Sequence, residues 1–244
     1  LVTGEGLLTA QTQAWRPRRR MLQPAFHQEM IALSERHVNA ALASLDRQWD
    51  ELTQAGPAIV DIDHAMMSIA LEITCGALFG VAIDDEVDEI TSATLAALHG
   101  VVAKARNPLS LPMWIPTPGN LRMRRAVSRL DKAVDSIIAA RSSDALAPEA
   151  PIRDMLDVLL DPDLEAPLTK QQIRDEIVTF IVAGHETVAS ALTWAWQLLI
   201  THPTEMQKLQ ENSEYAKCVF DESLRLYPPA WIITRRTLSE LTVD

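Results

Sequence analysis

Residues 180–190 read Phe-Ile-Val-Ala-Gly-His-Glu-Thr-Val-Ala-Ser, which places a glycine, a carboxylate and a hydroxyl inside what otherwise has the pattern of one long apolar helix. A glycine costs a helix interior about 1 kcal/mol relative to alanine. A carboxylate among apolar residues also loses hydration unless it is paired or wetted. A ligand pressed against the helix explains these residues, and a Gly/Thr packing notch between two helices is the alternative.

Signals on both sides of this stretch predict a helix from about Lys170 to about Ile200. Thr169 and Gln172 have the spacing of a capping box, and apolar residues recur with a helical period between residues 173 and 195. No proline interrupts the helix before Pro203. Such a helix is roughly 45 Å long at about 1.5 Å per residue, so we expect it to be central and largely buried.

Within this helix, Ala183, Gly184 and Thr187 are three or four residues apart and are expected to share one face. The absent side chain of Gly184 leaves room on that face for a flat group. The Thr187 hydroxyl has two possible partners, which are the carbonyl of Ala183 and a ligand in the gap.

The composition is that of an acidic globular protein. The chain has 244 residues with 48% hydrophobic and 23% charged residues and a formal net charge of -11. This size suits a single domain over residues 1–244, and the negative charge argues against a general nucleic-acid surface. No apolar run reaches about 18 residues, so we expect no membrane span and a cytoplasmic location. Because the chain begins at Leu1 rather than methionine, we expect a preceding segment.

The remaining segments are predominantly helical in pattern. Helices are predicted over residues 15–52 with a break near Pro24, 61–79 with Gly80 as the cap, 84–106, 121–141 and 152–160. The proline-rich loop at residues 107–119 either packs back onto the body or lines an entrance. Cys75 and Cys218 lack disulfide or metal-site spacing and are both predicted to be buried small apolar residues, and the histidines show no metal-ligand spacing.

Two further segments carry candidate functional residues. Trp15 and Arg19 are four residues apart, so an indole N–H and a guanidinium lie on one helix face and suit a carboxylate or phosphate. A basic helix start on the surface is the alternative. Glu222 and Arg225 are one helical turn apart, and an extended, β-branched segment at residues 230–237 follows them.

Taken together, these residues resemble the cytochrome P450 family of haem-thiolate monooxygenases. Trp15 with Arg19 matches the family's WxxxR in its C helix, residues 183–187 match A-G-x-[DE]-T in its I helix, and Glu222 with Arg225 matches ExxR in its K helix. The resemblance covers essentially the whole chain. It implies a mainly α fold with a minor β portion, truncated at both ends.

The family's chemistry implies a set of cofactors and partners. These are haem b (iron protoporphyrin IX), O2 as co-substrate, and NAD(P)H electrons delivered by a redox partner of the ferredoxin or flavoprotein reductase type. The implied activity inserts one oxygen atom into a small apolar organic substrate, since the haem carries the oxidation and the protein supplies orientation and proton delivery.

The resemblance also implies roles for individual residues. Haem propionates are held by Trp15, Arg19 and Arg235, with Arg236 as the substitute for Arg235, and the porphyrin lies against Ala183, Gly184 and Thr187. Glu186 and Thr187 relay protons for cleavage of the O–O bond, Glu222 and Arg225 are structural, and the substrate wall includes Ala230, Trp231 and Ile232. His185 receives no role.

Two features depart from the family's pattern. The family's ligand cysteine follows its K helix in a later loop, so no metal ligand is expected before Asp244, and neither Cys75 nor Cys218 can substitute. The link between Gln210 and Tyr215 is also shorter than usual. We therefore expect a fragment of the enzyme, and the alternative is a catalytically inactive helical scaffold that acts as a binding or interaction module.

Overall fold

A computed structural model describes residues 2–83, 87–107, 110–143, 154–164, 166–233 and 237. No strand occurs among these residues, so the mainly α prediction is confirmed and the minor β portion stays a prediction. The α-helices are α1 (Thr12–Leu22), α2 (Gln28–Thr53), α3 (Ile62–Phe79), α4 (Val87–Arg106), α5 (Pro118–Ser143), α6 (Met155–Leu160), α7 (Lys170–Thr201), α8 (Pro203–Glu211) and α9 (Ala216–Leu226). Short 3-10 helices at Gln23–Phe26 and Ser213–Tyr215 precede α2 and α9.

The long helix α7 begins and ends close to the predicted bounds. Its N-cap Thr169 accepts a hydrogen bond from the Gln172 backbone, and the Gln172 side chain accepts one from the Thr169 backbone, so the capping box is confirmed. α3 ends at Gly80, whose φ of 62° lies in the left-handed region that favours glycine.

Other boundaries differ from the prediction because side-chain caps select them. α5 starts at Pro118 rather than 121, since the Thr117 hydroxyl accepts a hydrogen bond from the Asn120 backbone. α6 starts at Met155, since the Asp154 carboxylate caps it, and residues 152 and 153 of the predicted helix lie outside the described residues. Residues 84–86 of the predicted first turn of α4 lie outside the described residues.

The proline-rich loop packs back onto the body at one end. The buried Asn120 side chain donates hydrogen bonds of 2.8 Å to the carbonyls of Pro112 and Ile115. Met113 packs against the core, whereas Trp114 is 74% exposed. The first of the two interpretations is therefore the better one for the described part of this loop.

α7 passes through the middle of the fold and lies alongside α3. Together the two helices contribute buried residues to the main core, including Leu71, Cys75, Phe79, Ile177 and Ile181. A second apolar cluster joins α2, α3 and α7 and includes Leu45, Met66, Ile69 and Ala189. Helix α7 is therefore held by apolar contacts with two separate clusters.

α3 and α7 also have the length and composition of membrane-spanning helices. The search of the sequence for uninterrupted apolar runs did not find these two helices, because polar residues interrupt the apolar sequence of both. The most apolar window is 56% buried in α3 and 44% buried in α7. Core helices of folded proteins meet the same criteria, so the finding is weak evidence for a membrane.

The link between α8 and α9 is closed by local hydrogen bonds. The Asn212 side chain accepts a hydrogen bond from the Glu214 backbone, and the Tyr215 hydroxyl donates to Glu205 at 2.6 Å. Cys218 on α9 is exposed, so the prediction that it is buried is wrong. Cys75 is buried as predicted.

Candidate functional site

One face of α7 is uncovered halfway along the helix. Ala183 and Thr187 are both exposed, although Ile181, Val182 and His185 beside them are buried. We call Ala183 and Thr187 the open face. An uncovered apolar position in the middle of a central helix is a place where a further group can pack.

The open face lies between two aromatic contacts on the same side of α7. With helical spacing, Glu176, Phe180, Ala183, Thr187 and Trp194 share one side of α7. Before the open face, the Phe180 ring contacts Phe26 at 5.8 Å between centroids. After it, the Trp194 ring stacks on Tyr227 at 4.0 Å with an interplanar angle of 5°. The chain just after α1 and the end of α9 therefore border this face.

Gly184 does not provide the predicted gap for a flat group. A Cβ built on Gly184 points at Thr74 of α3, with both Oγ1 and Cγ2 only 3.0 Å away. The glycine therefore allows α3 and α7 to approach closely, which is the packing notch considered as the alternative. The room for a ligand lies beside it, at Ala183.

Thr187 and Glu186 supply the polar groups near the open face. The Thr187 hydroxyl donates to the Ala183 carbonyl at 2.7 Å, which is one of the two predicted arrangements, and its lone pairs remain available as acceptors. Glu186 is partly buried. Burial raises the pKa of Glu186, while the nearby His99 opposes that rise. A carboxyl group whose pKa is raised by burial is a candidate for proton transfer.

His185 faces the interior on the other side of α7. Its ring is fully buried, and neither ring nitrogen has a hydrogen-bond partner among the described residues. Burial lowers the pKa of this imidazole from 6.5 to about 4. The ring is therefore neutral at pH 7 and does not contribute to the open face.

Trp15 and Arg19 lie together on α1, as their spacing predicted. The Arg19 guanidinium carbon lies 5.3 Å from the centre of the Trp15 ring. No carboxylate in the described part of the chain pairs with Arg19, whose side chain is exposed. We call Trp15 and Arg19 the donor pair, because the indole N–H and the guanidinium are available to an anionic ligand.

Glu222 and Arg225 form a forked ion pair on the surface of α9. Two hydrogen bonds of 2.7 and 2.6 Å join the guanidinium to the two carboxylate oxygens. The side chains are 53% and 65% exposed, respectively. An exposed ion pair of this kind stabilises a helix only weakly, so its structural role requires partners beyond this pair.

The segment after α9 is only partly described. Ala230, Trp231 and Ile232 are exposed, and the two larger side chains are 77% and 62% accessible. Their role in a substrate wall stays a prediction. Arg235 and its substitute Arg236 lie outside the described residues.

The described residues offer the two kinds of contact that a flat cofactor with acidic edges requires. The open face offers a small apolar surface at Ala183, and the donor pair offers an unpaired cation and an indole N–H. Haem has this combination of an apolar macrocycle and two propionates.

The sequence analysis did not identify Phe26, Phe180 or Trp194 as residues that border the site. The helical spacing of Phe180 and Trp194 from Ala183 is the signal that could have identified two of them.

Comparison with known proteins gives a consistent result. The family model described as Cytochrome P450 matches residues 1–244. Two proteins of Streptomyces melanosporofaciens are similar to the chain: cyclooctatin synthase with 30% identity and cyclooctat-9-en-7-ol 5-monooxygenase with 33% identity. Each alignment covers 97% of this chain and 54% of the relative. Pentalenene oxygenase of Streptomyces avermitilis is 29% identical, over 98% of this chain and 56% of its own. The chain thus spans about half the length of the curated relatives it matches.

Proposed function

Since the chain belongs to the cytochrome P450 family, we propose that the protein is a haem-dependent monooxygenase that inserts one atom of O2 into a small apolar organic substrate. The observation that carries the proposal is the open face of α7, which lies uncovered between the ring contacts at Phe180 and Trp194. The names of two similar proteins, a monooxygenase and an oxygenase, support the same type of reaction.

In this proposal haem b binds between the open face and the donor pair. Ala183 contacts the flat apolar macrocycle, because its small side chain permits close approach. Trp15 and Arg19 donate hydrogen bonds to the propionates, and Arg235 is proposed as a further donor. The haem supplies O2 activation and one-electron chemistry.

Two residues of α7 manage protons in this scheme. Burial raises the pKa of the Glu186 carboxyl, which favours its protonated form. The Thr187 hydroxyl is exposed at the open face, and its single proton is donated to the Ala183 carbonyl at rest. In the proposed step it releases this carbonyl, accepts a hydrogen bond from the Glu186 carboxyl and donates its own proton to the reacting side.

The remaining parts of the proposal concern partners and the rest of the fold. Electrons come from NAD(P)H through a ferredoxin or flavoprotein reductase. The substrate wall includes Ala230, Trp231 and Ile232, and Glu222 with Arg225 anchors α9 to the segments that follow it. A minor β portion and a cytoplasmic location also belong to the proposal.

An absorbance measurement on the full-length protein, meaning the polypeptide that the gene encodes, tests the function. With reductant and carbon monoxide, we expect the red-shifted Soret band of a thiolate-ligated haem. Haem uptake without that shift would contradict the monooxygenase function, and no haem uptake would favour the inactive scaffold.

A further inference from the structure

Arg18 and Glu176 form a buried ion pair between α1 and α7. Arg18 Nη1 lies 3.1 Å from Glu176 Oε1, and the side chains are only 7% and 0% exposed. This contact falls outside hydrogen-bond geometry, so the carboxylate oxygen Oε1 has an ionic partner but no hydrogen bond. The pair is therefore held in place by the groups that surround it.

Those groups are backbone atoms of the segment before α1. The Leu7 N–H donates to Glu176 Oε2 at 2.9 Å, and Arg18 Nη1 donates to the Glu5 carbonyl at 2.6 Å. The adjacent Asp175 accepts the Glu5 N–H at 3.0 Å. Residues 5–7 thus hold each member of the ion pair by a backbone hydrogen bond, Glu176 through Leu7 and Arg18 through Glu5.

Gly6 shows how closely this segment lies on α7. A Cβ at Gly6 would be 2.1 Å from the Thr179 hydroxyl and 2.6 Å from the Asp175 carbonyl. Only a residue without a side chain permits this approach. The segment and the ion pair are therefore fitted to one position on α7.

This position connects the two halves of the proposed haem site. On α1, Arg18 lies three residues after Trp15 and directly before Arg19. On α7, Glu176 lies seven residues before Ala183 on the same helical side. The Phe26–Phe180 contact is the second tie between these parts. The ion pair thus joins the two helices that carry the donor pair and the open face.

Stability alone does not explain a charged pair at this position. Apolar side chains of similar volume often replace a buried ion pair without loss of stability, because desolvation offsets the attraction between the charges. The charged hydrogen bonds from Arg18 to the Glu5 carbonyl and from the Leu7 N–H to Glu176 are directional, however, and fix relative geometry. We infer that Arg18 and Glu176 are positioning residues, which set α1 on α7 so that Trp15 and Arg19 reach the haem propionates. This inference rests on the proposed function.

Haem affinity of the full-length protein tests the inference. Apoprotein is titrated with haem, and the dissociation constant is obtained from the Soret absorbance. Arg18→Met is expected to weaken binding about tenfold, roughly 1.4 kcal/mol. Arg20→Met, an exposed arginine on the same helix, is the matched control and should change affinity less than about twofold.

The decisive readout is a double-mutant cycle with Arg19→Met. If Arg18 acts by orienting the donor pair, Arg19→Met weakens binding about tenfold in the wild type but only about twofold in the Arg18→Met background. A general structural role predicts equal losses in both backgrounds. Because Arg18→Met leaves Glu176 buried without its partner, the cycle is repeated with Arg18→Met/Glu176→Leu, whose fold is verified by urea denaturation without haem.

The outcomes separate the two levels of the proposal. Non-additive losses in the cycle support the positioning role. Additive losses, or wild-type affinity of the folded Arg18→Met/Glu176→Leu protein, overturn that role while the monooxygenase function stands. Failure of the wild type to bind haem overturns the proposed function and the inference together.

Discussion

The buried imidazole of His185 predicts a specific dependence of stability on pH. Its pKa is lowered from 6.5 to about 4 because burial removes the hydration of the charged form. Between these two pH values the unfolded chain binds a proton at His185 that the folded protein excludes. The contribution of neutral His185 is therefore fully present above about pH 6.5 and is lost as the pH falls towards 4.

The size of this loss follows from the two pKa values. Each pH unit between them is worth about 1.4 kcal/mol, so acidification from pH 6.5 to 4 removes about 3 kcal/mol of folding free energy through His185. His185→Leu removes the titrating group and two buried nitrogens that have no partner among the described residues. We expect this variant to be at least as stable as the wild type at pH 7.

Urea denaturation of the full-length protein, followed by circular dichroism between pH 7.5 and 4, measures this effect. The free energy of unfolding of His185→Leu is expected to fall less steeply than that of the wild type, by about 3 kcal/mol over the interval. His27→Leu, which replaces an exposed histidine, is the matched control variant. Parallel curves for the wild type and His185→Leu would refute the reasoning.

Four further substitutions give distinct results. Gly184→Ala is expected to cost about 1–3 kcal/mol in urea denaturation, since the new methyl meets Thr74, and Thr74→Ala should restore part of the loss; a fully stable single variant would contradict the packing notch. Because the pKa of Glu186 is raised in the folded protein, its ionisation reduces the stability as the pH rises above about 4.5, and Glu186→Gln should remove this loss. The measurement compares the urea midpoints of the wild type and the variant at pH 4.5 and 7. If the difference between the two midpoints is the same for both proteins, the charge is not buried. In Thr187→Ala, consumption of reductant should continue while product falls and peroxide rises, and unchanged coupling would remove the hydroxyl from proton delivery. Glu222→Ala should lose haem incorporation, measured as the ratio of Soret to protein absorbance, and normal loading at normal stability would exclude a structural role.

Local signals in the sequence were sufficient for the helices and for pairs within one helix. The capping box at Thr169 and the Trp15–Arg19 contact depend on residues at most four positions apart, and both appear as predicted. Apolar periodicity likewise identified α7 as a central helix. These features require no knowledge of which helices meet.

Features that depend on the packing of distant segments could not be obtained in this way. The neighbour of Gly184 is Thr74 on α3, and no pattern within α7 specifies that contact. The Arg18–Glu176 pair joins helices from opposite parts of the chain, and its burial follows from the segment at residues 5–7. Cys218 was misjudged for the same reason, since exposure on α9 depends on what covers that helix.

A crystal structure of the haem-loaded full-length protein tests the location of the cofactor most directly. We predict that the porphyrin lies within about 4.5 Å of the Ala183 side chain. Trp15 and Arg19 should each place a donor nitrogen about 2.7–3.2 Å from a propionate oxygen. A haem bound elsewhere, with Ala183 and Thr187 still facing solvent, would contradict the proposed site.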